Sequence, residues 1–261
     1  MIRALNTAAT GMQSQDSMVN NIANNIANVN TNGFKGSRTE FEDLLYDTVK
    51  EAGEQTTGTA SHTVGHQVGS GSRVVATRKE FTQGPTQVTN NPYDLSIQGE
   101  GFFGIVGANE ERYYTRDGSF TVSASGEIQT KSGHKLFPGF TVPQNTTHLH
   151  VAENGTVEAY IKNQVEPTNL GKLPVFTFVN AAGLKSMGGN LYAQTAGSGD
   201  PQEQEAGRGP AGSVMQGSLE GSNVNIMSEM TNLIKAQRAY EMNSKVMGVA
   251  DQMLQTINNV K

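Results

Sequence analysis

The 261-residue chain contains neither cysteine nor tryptophan. Without thiols it forms no disulfide, builds no thiolate zinc site and offers no sulfur nucleophile. No charge sign dominates: 19 basic and 24 acidic side chains leave a formal charge of -5, with the signs interspersed. That distribution argues against both a basic nucleic-acid footprint and an acidic disordered tail. Long apolar runs are missing as well. No stretch approaches the roughly eighteen apolar residues of a membrane span. The segment "MIRALNTAATGMQSQDSMVN" lacks the run of about seven that a general secretory signal needs. Neither direct membrane insertion nor general secretory export is therefore expected.

Catalytic motifs are equally scarce. There is no GxSxG elbow, no phosphate-binding loop and no HExxH. Gly99, Gly101 and Gly104 spell GxGxxG, but the residues that follow read as a strand, which favours close backbone approach over dinucleotide binding. His148 and His150 share one strand face, and His62 and His66 lie four apart in an extended stretch. Neither pair has an acid cluster beside it, so both read as solvated rather than as metal ligands. Asp117 in "TRDGSF" reads as a turn residue, and Arg116 as the partner of a carboxylate or of a neighbouring subunit. The expectation is a non-enzyme with no catalytic residues, no cofactor and no metal.

What is present lies first at the two ends. Leu5, Ala8, Met12, Gln15, Val19, Ile22, Ile26 and Val29 alternate in steps of three and four, a heptad stripe with one polar slot. About 28 helical residues would make a rod of roughly 42 Å, ended by Asn32-Gly33. Leu233, Ala236, Tyr240, Asn243, Met247, Ala250, Leu254 and Ile257 repeat the pattern, with Asn225 placed to cap the helix and Glu229 in its first turn. Seven asparagines between Asn20 and Asn32 dilute the first stripe. Relative to alanine they cost the helix about 4 kcal/mol together, so this segment is weakly ordered alone and ordered when packed. Asn21, Asn25, Asn28 and Asn32 line one flank, where carboxamides either bond across helices or are simply solvated. Ile2, Met18, Ile226, Met227, Met230, Ile234, Val246 and Met253 fall outside the stripes, so more than one helix face wants cover.

Between the ends the period changes to two. Short β-branched and aromatic runs are cut by Asp117-Gly118, Ser125-Gly126, Ser132-Gly133 and Asn154-Gly155, which predicts antiparallel hairpins. The fold class is thus α+β: long terminal helices packing as a coiled coil around a central antiparallel all-β domain. The expected organisation is a helical core from 1–50 and 222–261, an extended insert at 51–72, and a β domain at 73–221. The insert and the glycine-rich stretch 194–212 fit neither periodicity.

"NNIANVNTNGFKGSRTEFEDLLY" and "GSNVNIMSEMTNLIKAQRAYEMNSKVMGVADQML" resemble the terminal signatures of the bacterial flagellar axial proteins, the rod, hook and hook-associated subunits. "DLSIQGEGFF", "YYTRDGSF" and "LYAQTAGSG" narrow the likeness to the distal rod branch, with a proximal rod or short hook subunit as the alternative. The resemblance implies an extracytoplasmic structural subunit, exported unfolded by the flagellar type III apparatus and polymerising into a hollow, torque-bearing shaft. Its implied partners are itself, proximal rod and hook subunits, and the peptidoglycan and outer-membrane ring bushings. By motif, Asn24, Asn25, Asn28, Asn32, Gly33 and Phe34, with Ser222, Asn223 and Asn225, would mark where the helices meet the tube wall. Leu5, Met12, Val19, Ile22, Ile26 and Val29, with Leu233, Ala236, Tyr240, Met247, Leu254 and Ile257, would carry the axial packing. The 51–72 insert would contact neighbours. The rival outside this family is a monomeric β-domain binding module with a private helical hairpin.

Overall fold

A computed structural model describes residues 2–51, 55–57, 60–61, 63–107, 110–162 and 166–259. Two long helices, α1 (Ile2–Ala27, 26 residues) and α2 (Ile226–Asn259, 34 residues), flank an antiparallel β region. The chain divides into two compact units. One comprises residues 1–27, 37–78 and 225–261; the other comprises 28–36 and 79–224.

In the helical unit α1 and α2 run antiparallel. Gly11 lies opposite Asn243, and Asp16 and Val19 lie opposite Gln237 and Tyr240. That register places Ile2 near the level of Gln252, so the last turns of α2 run past it. α1 stops at Ala27 because Asn28-Val29-Asn30-Thr31 is a run of poor helix formers, closed instead by a Thr31 amide to Asn28 carbonyl turn. Val29 therefore sits beyond the helix, half-buried in that turn, rather than on its stripe. The strand Ser37–Asp43 pairs with Ser72–Lys79. The 51–72 insert is more regular than its composition suggests: His66–Gly69 pairs with Tyr46–Lys50 in a two-stranded ribbon, and Gln55–Thr57 pairs with Ala60–Ser61.

The β unit is organised around the strand Phe102–Val106, which bonds to Arg112–Thr115 on one side and to Lys135–Leu136 and Pro174–Thr177 on the other. Side chains alternate across a strand, and here the alternation separates two cores. Phe103 joins Leu95, Ile97, Phe120, Leu136 and Val175, while Phe102 joins Tyr114, Phe176, Leu184 and Tyr192 on the opposite face. The GxGxxG glycines serve this packing. A Cβ on Gly101 would lie 2.1 Å from Val175 Cγ1, and one on Gly104 would lie 2.5 Å from the Phe176 ring. Gly126, Gly133 and Gly155 each take positive φ at the expected turns. Asp117 is a turn residue, its Oδ1 accepting the Ser119 amide. The glycine-rich stretch 194–212 is also built in, because Gln202–Glu205 pairs with Pro174–Thr177. His148 and His150 are exposed on Thr146–Val151, whereas His62 lies outside the described residues.

Tyr192 closes the second core, edge-on to Phe102 at 5.9 Å and to Phe81 at 5.5 Å. Burial there raises its hydroxyl pKa from 10.0 to about 12. A raised acid pKa means the folded state favours the neutral phenol. The stability so gained is fully present below about pH 10 and is lost as pH rises through about 12. Ultraviolet titration of the tyrosines should show a late-ionising class near pH 12, and urea midpoints of the β unit should fall across that interval.

Candidate functional site

The residues expected to carry the axial packing lie along the seam between α1 and α2. Ala8 and Ile22 on α1 and Ala236 and Ala250 on α2 are buried, and Leu5, Met12, Val19, Ile26, Leu233, Met247 and Leu254 are half-buried beside them. Tyr240 is exposed because the seam opens there into a groove of about 510 Å³ lined by Asp16, Val19, Gln237 and Glu241. Ile257 is 58% exposed, in the part of α2 that runs past Ile2.

The distribution of size on α2 is inverted relative to a self-sufficient hairpin. Its fully buried positions are alanines, whereas Ile226, Met227, Met230, Ile234, Met242, Val246, Val249, Met253 and Ile257 are all exposed. These form two stripes, Ile226–Met230–Ile234 at steps of four, and Met242–Val246–Val249–Met253–Ile257 at steps of four, three, four and four. Isolated exposed apolar residues need no explanation, but two continuous helical stripes mark a surface that expects cover.

The asparagine flank has a use that spacing alone does not reveal. Asn25 donates from Nδ2 to the Ser37 carbonyl (2.9 Å) and accepts the Ser37 amide at Oδ1 (3.0 Å). Asn21 donates to the same carbonyl and to Thr39 Oγ1, each at 3.0 Å, and accepts the Ser37 hydroxyl at 2.6 Å. Two carboxamides one helical turn apart thus satisfy the backbone of the strand that follows, instead of reaching across to another helix. Asn24 is exposed on α1. Asn225 caps α2, its Oδ1 accepting the Met227 and Ser228 amides at 3.0 and 3.3 Å.

The remaining motif residues meet inside the β unit. Gly33, at φ +67°, donates its amide to the Glu220 carbonyl at 2.7 Å, and a Cβ there would lie 2.5 Å from the Asp117 nitrogen. Asn32 accepts Asn190 Nδ2 at its carbonyl (3.0 Å), and Phe34 is buried beneath the Lys79 ammonium, 5.2 Å from the ring centre. Asn28 accepts the Thr31 hydroxyl at 3.2 Å. Ser222 accepts the Val224 amide at 3.2 Å. Asn223 accepts the Gly36 amide at Oδ1 (2.8 Å) and donates to the Glu80 carbonyl (2.7 Å) and to Thr82 Oγ1 (2.9 Å).

At the centre of this junction lies a cluster of buried charge that sequence reasoning missed. Lys35 Nζ is 2.6 Å from Glu220 Oε1, and Arg116 Nη1 is 3.2 Å from Glu220 Oε2. Lys35, Glu220 and Arg116 are 0%, 1% and 3% exposed. Lys35 also donates to the Thr82 carbonyl (2.7 Å), Arg116 to the Gly99 carbonyl (2.6 Å), and the Gly84 amide to Glu220 Oε1 (3.0 Å). Burial pushes Lys35 and Arg116 below their ordinary pKa, and the Glu220 carboxylate opposes the shift. The only sequence hint was Arg116 beside a turn.

The two helices approach tightly at Gly11, where a Cβ would lie 2.8 Å from Asn243 Nδ2. Gly11→Leu should lower the stability of the helical unit by about 1–3 kcal/mol through overpacking, read from urea melts of the helical circular dichroism. Gly11→Ala should be near neutral, since helix propensity improves and only a flexible side-chain tip must move.

Three family descriptions match along the chain: flagella basal body rod protein over residues 5–35, flagellar hook protein FlgE/F/G D1 domain over 96–159, and flagellar basal body rod FlgEFG protein C-terminal over 215–260. The chain is 42% identical over 260 residues to the flagellar basal-body rod protein FlgG of Buchnera aphidicola from Acyrthosiphon pisum, covering 100% of both. It is 43% identical over 263 residues to that of Borreliella burgdorferi, covering 100% of this chain and 99% of the other. To that of Caulobacter vibrioides it is 42% identical over 261 residues, again covering 100% of both. The chain belongs to the flagellar basal-body rod protein family FlgG, whose members are structural subunits and not enzymes.

Proposed function

We propose that this chain polymerises through α1 and α2 into the hollow, rigid distal part of the flagellar rod, the shaft that carries motor torque to the hook. The observation that carries this reading is the pair of apolar stripes on α2, exposed on a single chain while α1 occupies the alanine face. The helices of successive copies build the wall of the tube. Neighbouring copies cover the stripes, with proximal rod and hook subunits beyond the two ends of the segment. Outside the shaft stand the peptidoglycan and outer-membrane ring bushings, which places the subunit in the periplasm. Delivery is by the flagellar type III apparatus as an unfolded chain. No helix among the described residues is long and apolar enough to cross a membrane.

A proximal rod or short hook subunit is the alternative within the family. The 51–72 insert favours the distal assignment. It returns to Tyr46–Lys50 as a ribbon that leaves Leu45, Tyr46, Val49 and Val64 exposed, a surface suited to neighbouring copies.

Purified full-length chain carrying Met242→Asp and Val249→Asp tests the assembly. Each charge replaces an apolar contact worth about 1.5–3 kcal/mol when buried. The critical concentration for filament formation should rise at least ~100-fold, while the monomer's helical content stays unchanged. Filaments that form at the wild-type concentration would overturn the reading.

A further inference from the structure

We propose that the Lys35–Glu220–Arg116 cluster is a folding latch, which closes the β unit only when its first and last segments dock together. Lys35 and Glu220 stand 185 residues apart in sequence, yet each is the other's buried counter-ion. Two cations share one carboxylate, and Arg116 Nε has no hydrogen-bond acceptor among the described residues. The cluster is therefore an expensive way to fill a core. Well-packed apolar residues of similar volume commonly do as well or better, whereas removing one member of such a set is severely destabilising.

That asymmetry is what makes a latch. If the segment 28–36 docks before residue 220 arrives, it buries the Lys35 ammonium against the Thr82 carbonyl alone. If the strand Ser218–Glu220 pairs with Thr86–Val88 first, the Glu220 carboxylate keeps Arg116 and the Gly84 amide but lacks Lys35. Either half-closed state holds an incompletely compensated charge, so the two segments are coupled in an all-or-none way. The main chain reinforces this coupling. The Gly33 amide bonds to the Glu220 carbonyl, and the Gly36 amide bonds to Asn223. Contacts of such long sequence separation also close slowly. An incompletely made chain, or one still threaded through a channel, thus keeps its β unit open. The latch stands on the ion cluster alone, while its value in export rests on the assembly reading above.

The test uses the full-length monomer, so its outcome is independent of polymerisation. Lys35→Met and Glu220→Gln should each lower the folding equilibrium constant of the β unit by about a hundredfold or more. The triple variant Lys35→Met/Arg116→Met/Glu220→Leu should regain wild-type stability or exceed it. Pulse-labelling hydrogen exchange during refolding supplies a readout that a merely structural role would not move. In the wild type the amides of 33–36 and of 218–221 should become protected in one kinetic step, and in the triple variant in two. Single variants as stable as the wild type, or separate steps in the wild type, would overturn the proposal. If the single variants fail to fold, a triple variant that still protects both segments together would overturn it equally.

Discussion

The carboxylate of Glu220 is the point on which the β unit turns. It is almost fully buried, holds Lys35 and Arg116, and accepts the Gly84 amide. A buried anion is tolerated only when its neighbours compensate it almost completely, and the surrounding features follow from that requirement. Gly33 must be glycine so that the backbone can approach Asp117 while bonding to the Glu220 carbonyl. Asn223 then ties Gly36 to Glu80 and Thr82. The stretch leaving α1 and the stretch leading into α2 are fixed side by side, although Lys35 and Glu220 lie 185 residues apart.

The helices obey a different economy. α2 gives its small residues, Ala236 and Ala250, to α1, and Gly11 allows a tight approach to Asn243. Its large residues remain outside. A hairpin shaped for its own stability would do the reverse, since buried area is what stabilises it. The asparagines of α1 fit the same logic: they weaken the helix as an isolated rod, yet Asn21 and Asn25 use their amides to bind the backbone at Ser37. Order is thereby made conditional on context rather than intrinsic to the segment.

The helical stripes and the hairpins were legible in the sequence because both signals are local. Three-four spacing named the seam residues from Leu5 to Ile26 and from Leu233 to Leu254, and three of the four X-Gly dipeptides marked turns where glycine adopts positive φ, at Gly126, Gly133 and Gly155. What escaped depends on distance along the chain. Nothing in the spacing around Lys35 points to residue 220, because the two lie 185 residues apart. The asparagine flank suggested a contact but not its partner, because a carboxamide serves a backbone as readily as another carboxamide. Glycine-rich composition also misled at 194–212, where the strand Gln202–Glu205 is held by its neighbour Pro174–Thr177 despite its polar side chains.

The unequal length of the two helices has a consequence of its own. With Gly11 facing Asn243, residues beyond about Gln252 run past Ile2, and Met253 and Ile257 there are exposed. Where a second copy covers that end with a different surface, the contact is head-to-tail, and it closes into a ring or continues as a helix according to the rotation between copies. The helical pair therefore has two unlike ends, only one of which carries this exposed apolar turn.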